Sequence, residues 1–128
     1  MREILDELEA LRGATTQRLE DEPLTRAAAE RLLQVIVDLA VDVNAHIAVA
    51  TAKSAPETGR ASFLAMGHVG AIDSELAERL APAAGLRNIL VHRYTDIRTE
   101  IVAASIPTVL DGFAEYVRQI AAFVATGD

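Results

Sequence analysis

Residues 24–52, LTRAAAERLLQVIVDLAVDVNAHIAVATA, decide the fold. Leu24, Ala28, Leu32, Ile36, Leu39, Val43 and Ile47 recur every three or four positions, with Leu33, Val37 and Ala40 beside them. That is the period of an α-helix, and an apolar arc this wide belongs to a helix that is central or lies at an interface. The remaining polar line, Glu30, Gln34, Asp38, Asp42 and His46, advances by four each time. Upstream, Ile4, Leu5, Leu8, Leu11 and Leu19 pattern residues 1–19 as one amphipathic helix, closed by the polar break Glu20-Asp21-Glu22-Pro23, whose three acids read as a solvated linker. Downstream, residues 53–60 (KSAPETGR) read as a loop, since Pro56 and Gly59 stand among small polar residues. Residues 62–69 form a short helix with Phe63, Leu64 and Met66 inward, loosened by Gly67 and Gly70. Asp73 caps a helix over 74–81 that Pro82 and Gly85 interrupt. The segment 86–97 (LRNILVHRYTDI) is helical or helix-terminal. A last helix, capped by Thr95 or Asp96, uses Ile97, Ile101, Ala104, Leu110, Phe113, Val117, Ile120 and Val124, with a kink or short break near Pro107. The expected architecture is an all-α up-and-down bundle of four to five main helices.

The chain has 128 residues, enough for one domain over 1–128 with a core that needs no staples. Aromatics are only 4% and alanine is abundant, which favours close-packed helices over sheets. The absence of cysteine excludes disulfides, thiol nucleophiles, zinc-thiolate sites and iron–sulfur clusters. The start, MREILDELEA, lacks the basic region and apolar core of a secretory signal. No stretch approaches the roughly 20 charge-poor apolar residues of a membrane span. The nearest, residues 35–52, carries Asp38, Asp42 and His46. A soluble cytoplasmic protein is therefore expected, with no membrane partner.

The net charge of −7, from 12 Lys and Arg against 19 Asp and Glu, excludes the broad basic surface that DNA binding requires. Its distribution leaves room for a local anion site. Between Leu86 and Thr99, Arg87, Arg93 and Arg98 face one acid, Asp96, a local charge of +2 on an acidic body. Asp38, Asp42 and His46 are spaced i,i+4, but no further ligands stand at metal-site spacing. They read as a polar line that hydrogen-bonds neighbouring helices or faces a cleft, and neither a metal nor a cofactor is expected. His68, between glycines, reads as a surface residue. Phosphate loops, H-E-x-x-H and G-x-S-x-G are absent, so nothing points to an ATPase, zinc protease or serine hydrolase.

The segment that carries chemistry is Arg87-Asn88-Ile89-Leu90-Val91-His92-Arg93-Tyr94, an R-N-x3-H-x-Y pattern. Five residues of ideal helix turn by about 500°, which leaves Arg87 and His92 roughly 140° apart. One straight helix would not aim both at the same group. Asn88 and His92 are i,i+4 neighbours, so the amide can orient the imidazole. Either the helix bends or ends inside the motif, or two chains meet to build a composite cleft. A purely structural reading stands beside these: Arg87 as a helix-end arginine, His92 as a capping histidine and Tyr94 at the edge of the core.

The R-N-x3-H-x-Y pattern resembles the signature of HepT-like proteins in the HEPN superfamily of helical ribonucleases. The polar line from Glu30 and Arg31 to His46, the pair Ser62-Phe63, and the helix with Ile97-Arg98 and Pro107 after Tyr94 resemble that family too. The resemblance implies a HEPN-type bundle and a metal-independent endoribonuclease toxin, with Arg87 and His92 as the catalytic pair and Asn88 as the accompanying polar group. Histidine suits removal of the proton from a ribose 2'-OH because its unperturbed pKa of about 6.5 lies near neutrality. Arginine suits the adjacent phosphate because its guanidinium stays charged and donates two parallel hydrogen bonds. The attack would leave a 2',3'-cyclic phosphate. The resemblance also implies a homodimer with facing motifs. Its partner would be a minimal nucleotidyltransferase antitoxin of the MntA type, which transfers AMP from ATP to Tyr94. Arg93 and Arg98 are candidates for contact with RNA. The alternative is a non-catalytic HEPN-like subunit that docks a nucleotidyltransferase as its scaffold or modification substrate.

Overall fold

The structure, a computed structural model, describes residues 1–91 and 99–126, with the backbone alone at positions 87, 88 and 91. Along these residues run α1 (Arg2–Glu9), α2 (Thr16–Asp21), α3 (Pro23–Ala52), α4 (Gly59–His68), α5 (Ser74–Leu80), α6 (Ala83–Val91) and α7 (Thr99–Thr126), and no strand. The all-α expectation holds. α3 opens with Pro23 in its first turn, where a missing N–H breaks no helix bond, and closes at Lys53 in a left-handed conformation (φ 61°). It is the central element, touching α1, α2, α4, α6 and α7. By length and composition α3 is also apolar enough to cross a membrane, which corrects the expectation that no stretch comes near that limit. A helix wrapped by five others meets the same compositional demand.

The phase of burial differs from the expected stripe. Ala29, Leu33, Ile36, Val37, Ala40, Asn44, Ile47 and Ala48 are the α3 residues that face inward with Glu30, while Leu24 is 87% exposed. On α7 the buried row is Val102, Ile106, Val109, Phe113 and Tyr116, and Ile101 and Val124 are exposed. Both helices are apolar around most of their circumference, so periodicity alone does not select the face. The neighbours do. At the centre Phe63, Phe113 and Tyr116 form three edge-on ring contacts with centroids 6.0, 6.1 and 5.7 Å apart, joining α4 to α7.

Several element boundaries also move. The single helix expected over 1–19 is two, because the chain turns at Gly13 (φ 87°) and restarts at Thr15, whose hydroxyl accepts from the Arg18 N–H. Glu20 and Asp21, read as linker, are the last residues of α2. α4 begins at Gly59, three residues earlier than expected, because Thr58 caps it through the Ala61 N–H. α7 runs unbroken through Pro107, contrary to the expected interruption. Pro107 is exposed there, and Ser105 and Thr108 donate back to the Ile101 and Ala104 carbonyls.

Asp73 caps α5 as expected, accepting from the Leu76 N–H at 2.7 Å, and it also accepts from Gln119 of α7. These two donors, the backbone one first, hold its carboxyl below the usual range. The stability it contributes is present above the unfolded carboxyl pKa of about 4 and is lost as pH falls through the lowered value. A backbone prediction follows from Gly13: nothing lies within 4 Å of a Cβ built there, so Gly13→Ala meets only the left-handed strain. It should destabilise by about 1 kcal/mol, read by urea unfolding, with no change in cooperativity.

Candidate nucleic-acid site

The R-N-x3-H-x-Y segment begins on α6. Ala84 and Leu90 of that helix are buried and Ile89 is 48% exposed, so α6 lies on the bundle surface with one face seated. Positions 87 and 88 stand about one helical turn beyond Ala84. The side chains of Arg87 and Asn88 lie outside the described residues, as do His92, Arg93, Tyr94 and Arg98 in full. The structure thus puts the first two motif positions side by side on a helix, in front of the start of α7 at Thr99.

Two cavities flank α6. One of about 700 Å³ opens between α3, the first turn of α4 and the first turn of α6, lined by Asp38, Val41, Asp42, Gly59, Arg60 and Gly85. The other, of about 470 Å³, lies between α6 and α7 and is mostly apolar, with Leu80, Leu86, Ile101, Ala104 and Phe113 in its wall. The polar line of α3 divides by depth. Glu30 is buried and ion-paired with Arg26 at 2.8 Å, Asp38 and Asp42 face the larger cavity, and His46 is exposed. Among the described residues no group of three or more His, Cys, Asp or Glu is placed to hold a metal.

A buried hydrogen-bond chain behind this surface escaped the sequence reading. The Tyr116 hydroxyl donates to Asn44 Oδ1, the Asn44 amide donates to Ser62 Oγ at 3.1 Å, and Ser62 Oγ donates to the Gly59 carbonyl at 2.6 Å. Burial pushes the Tyr116 phenol up from its ordinary pKa, which keeps it a donor. The signal was present: Asn44 is a lone amide between the apolar turns of Ala40 and Ala48, and Tyr116 stands one turn after Phe113. A buried amide without partners would be costly, and here every donor meets an acceptor.

The chain is 39% identical over 97 residues to a tRNA nuclease HepT of Aphanizomenon flos-aquae, covering 76% of this chain and 66% of that protein. It is 29% identical over 90 residues to an mRNA nuclease HepT of Shewanella oneidensis, covering 70% and 68%. The matches thus span about two thirds of the length of these relatives. Among solved structures, a tri-AMPylated HEPN toxin of Shewanella oneidensis in complex with an MNT antitoxin superposes with a TM-score of 0.82 at 22% identity, covering 94% of this chain and 90% of that one. A toxin–antitoxin crystal structure with AMP-PNP gives 0.81 at 23% identity, covering 94% and 90%. These likenesses fix the fold as the HEPN bundle. The profile of the family described as Ribonuclease HepT-like matches residues 1–120, nearly the whole sequence, and the chain belongs to that family.

Proposed function

We propose that this chain is the toxin of a toxin–antitoxin pair, a single-domain, metal-independent endoribonuclease that cleaves RNA by attack of the 2'-OH on the adjacent phosphate. The observation that carries the reading is the R-N-x3-H-x-Y segment of residues 87–94, opening on α6 of a HepT-like chain. His92 takes the 2'-OH proton as the 2'-oxygen bonds to phosphorus; the P–O5' bond breaks, and the 5'-oxygen leaves as a hydroxyl after taking a proton from water. Arg87 stabilises the charge gathering on the phosphate, while Asn88, four positions before His92, orients the imidazole. Arg93 and Arg98 contact the RNA backbone. No metal is required, because nucleophile and electrophile both belong to the RNA. The nuclease names of the relatives support the reaction class.

Two copies pair about a two-fold axis with their motifs facing, which meets the geometric demand that one straight helix leaves open. The half-exposed apolar residues of α3 outside the inward row, Leu32, Val35 and Leu39, supply a surface that a two-fold contact can reuse. The partner is a minimal nucleotidyltransferase of the MntA type that adds AMP to Tyr94. Support comes from the AMPylated toxin in complex with its MNT antitoxin that shares this fold. A bulky anion two residues from His92 excludes RNA and competes for the arginines. The pair acts in the cytoplasm, where RNA and ATP are both present.

The test uses AMP-free protein and RNA in EDTA. Wild type should cut and Arg87→Ala should not; equal rates from both would contradict the assignment. Tyr94→Phe should cut like wild type yet stay active after incubation with the nucleotidyltransferase and ATP, which silences the wild type. Silencing of both alike would remove Tyr94 from the scheme.

A further inference from the structure

α6 packs chiefly on α3 and more sparingly on α4, and its close approach to α4 is made by a residue without a side chain. A Cβ built at Gly59, the first residue of α4, would stand 3.0 Å from the Cβ of Ala84 and 3.5 Å from Val41 Cγ2. The first separation is tighter than ordinary van der Waals contact, so one of the two helices would have to give. α4 is the less free to do so. Thr58 caps it through the Ala61 N–H at 3.0 Å, and Ser62 Oγ holds the Gly59 carbonyl at 2.6 Å. Ser62 is held in turn by Asn44, and Asn44 by Tyr116, at the junction of α3, α4 and α7. α6 is nine residues long, starts directly after Pro82, and stands on the surface beside two cavities. An added methyl therefore moves α6, and positions 87 and 88 lie about one turn beyond the point of contact.

We propose that Gly59 is a positioning residue for RNA cleavage: its bare backbone, fixed by the Tyr116–Asn44–Ser62 chain, sets where α6 holds the backbone of position 87. The inference rests on the ribonuclease reading above. Gly59 touches no substrate and acts through Ala84. Transition-state stabilisation by a guanidinium depends steeply on placement, and a displacement of about 1 Å can cost on the order of a hundredfold in rate. A shift of a few tenths of an ångström is enough to be read in kcat.

The experiment compares wild type, Gly59→Ala and the double variant Gly59→Ala/Ala84→Gly, using RNA in EDTA with kcat, KM and thermal midpoint for each. Helix propensity alone makes Gly59→Ala neutral or stabilising, so loss of fold is not the expected cause of lost activity. The single variant should lose about tenfold in kcat, with KM and the thermal midpoint little changed. Removing the Ala84 methyl makes room for the new one, and the double variant should recover most of the loss. A Gly59→Ala protein that cuts at the wild-type rate overturns the inference. So does a loss that tracks a fall in the thermal midpoint, or one that Ala84→Gly fails to relieve. Wild-type protein that leaves RNA intact overturns the ribonuclease reading itself, and this inference with it.

Discussion

His92→Ala should lower the rate of RNA cleavage by roughly 10²- to 10⁴-fold, the span that a positioned general acid–base group contributes. The loss should fall on kcat, because an imidazole that only exchanges protons adds little to ground-state binding. Arg87→Ala should reach a comparable depth by another route, removing donors that meet phosphate charge as it develops, which is worth about 10² to 10³. The double variant should be little worse than the weaker single, since the two groups act on one transition state and their losses do not add. Single-turnover cleavage of a labelled RNA separates these outcomes. Independent losses that multiply would show that the two residues do not share a site.

Phe113→Ala should be the most destabilising substitution in the core. Phe113 is fully buried and touches both Phe63 and Tyr116 edge-on, so its ring is part of the packing that joins α4 to α7. Removing a buried phenyl group costs about 3–5 kcal/mol. For a chain of this size that is a fall in thermal midpoint on the order of 10–20 °C. Val124→Ala, at a residue 59% exposed near the end of the same helix, should change it by less than about 2 °C. Thermal unfolding of the two variants side by side checks both, and equal shifts would contradict the assignment of the inward face of α7.

That face marks the limit of what the sequence discloses. Helices were legible wherever a cap or a period was local: Asp73 before α5, and the unbroken apolar period from Leu24 to Ala52. The choice of face on α3 and α7 was not, because each carries two plausible apolar rows and only the neighbouring helices select between them. The split at Gly13 was missed because Leu8, Leu11 and Leu19 keep helical spacing across it, while the left-handed turn leaves no trace but the glycine. For the site, Arg87 and Asn88 could be placed on a helix from sequence. The Tyr116–Asn44–Ser62 chain could not, since its partners are brought together across 72 and 18 residues. The acidic total, which argues against a broad nucleic-acid surface, leaves room for a confined site once the three arginines of residues 86–99 are counted apart from the rest.

Analysis of the RNA ends tests the central claim most directly. Attack by the 2'-OH, with no metal, predicts fragments ending in 2',3'-cyclic phosphate and 5'-hydroxyl, formed at the same rate in EDTA as in magnesium. Fragments with 5'-phosphate ends, formed only when a divalent cation is supplied, would contradict it.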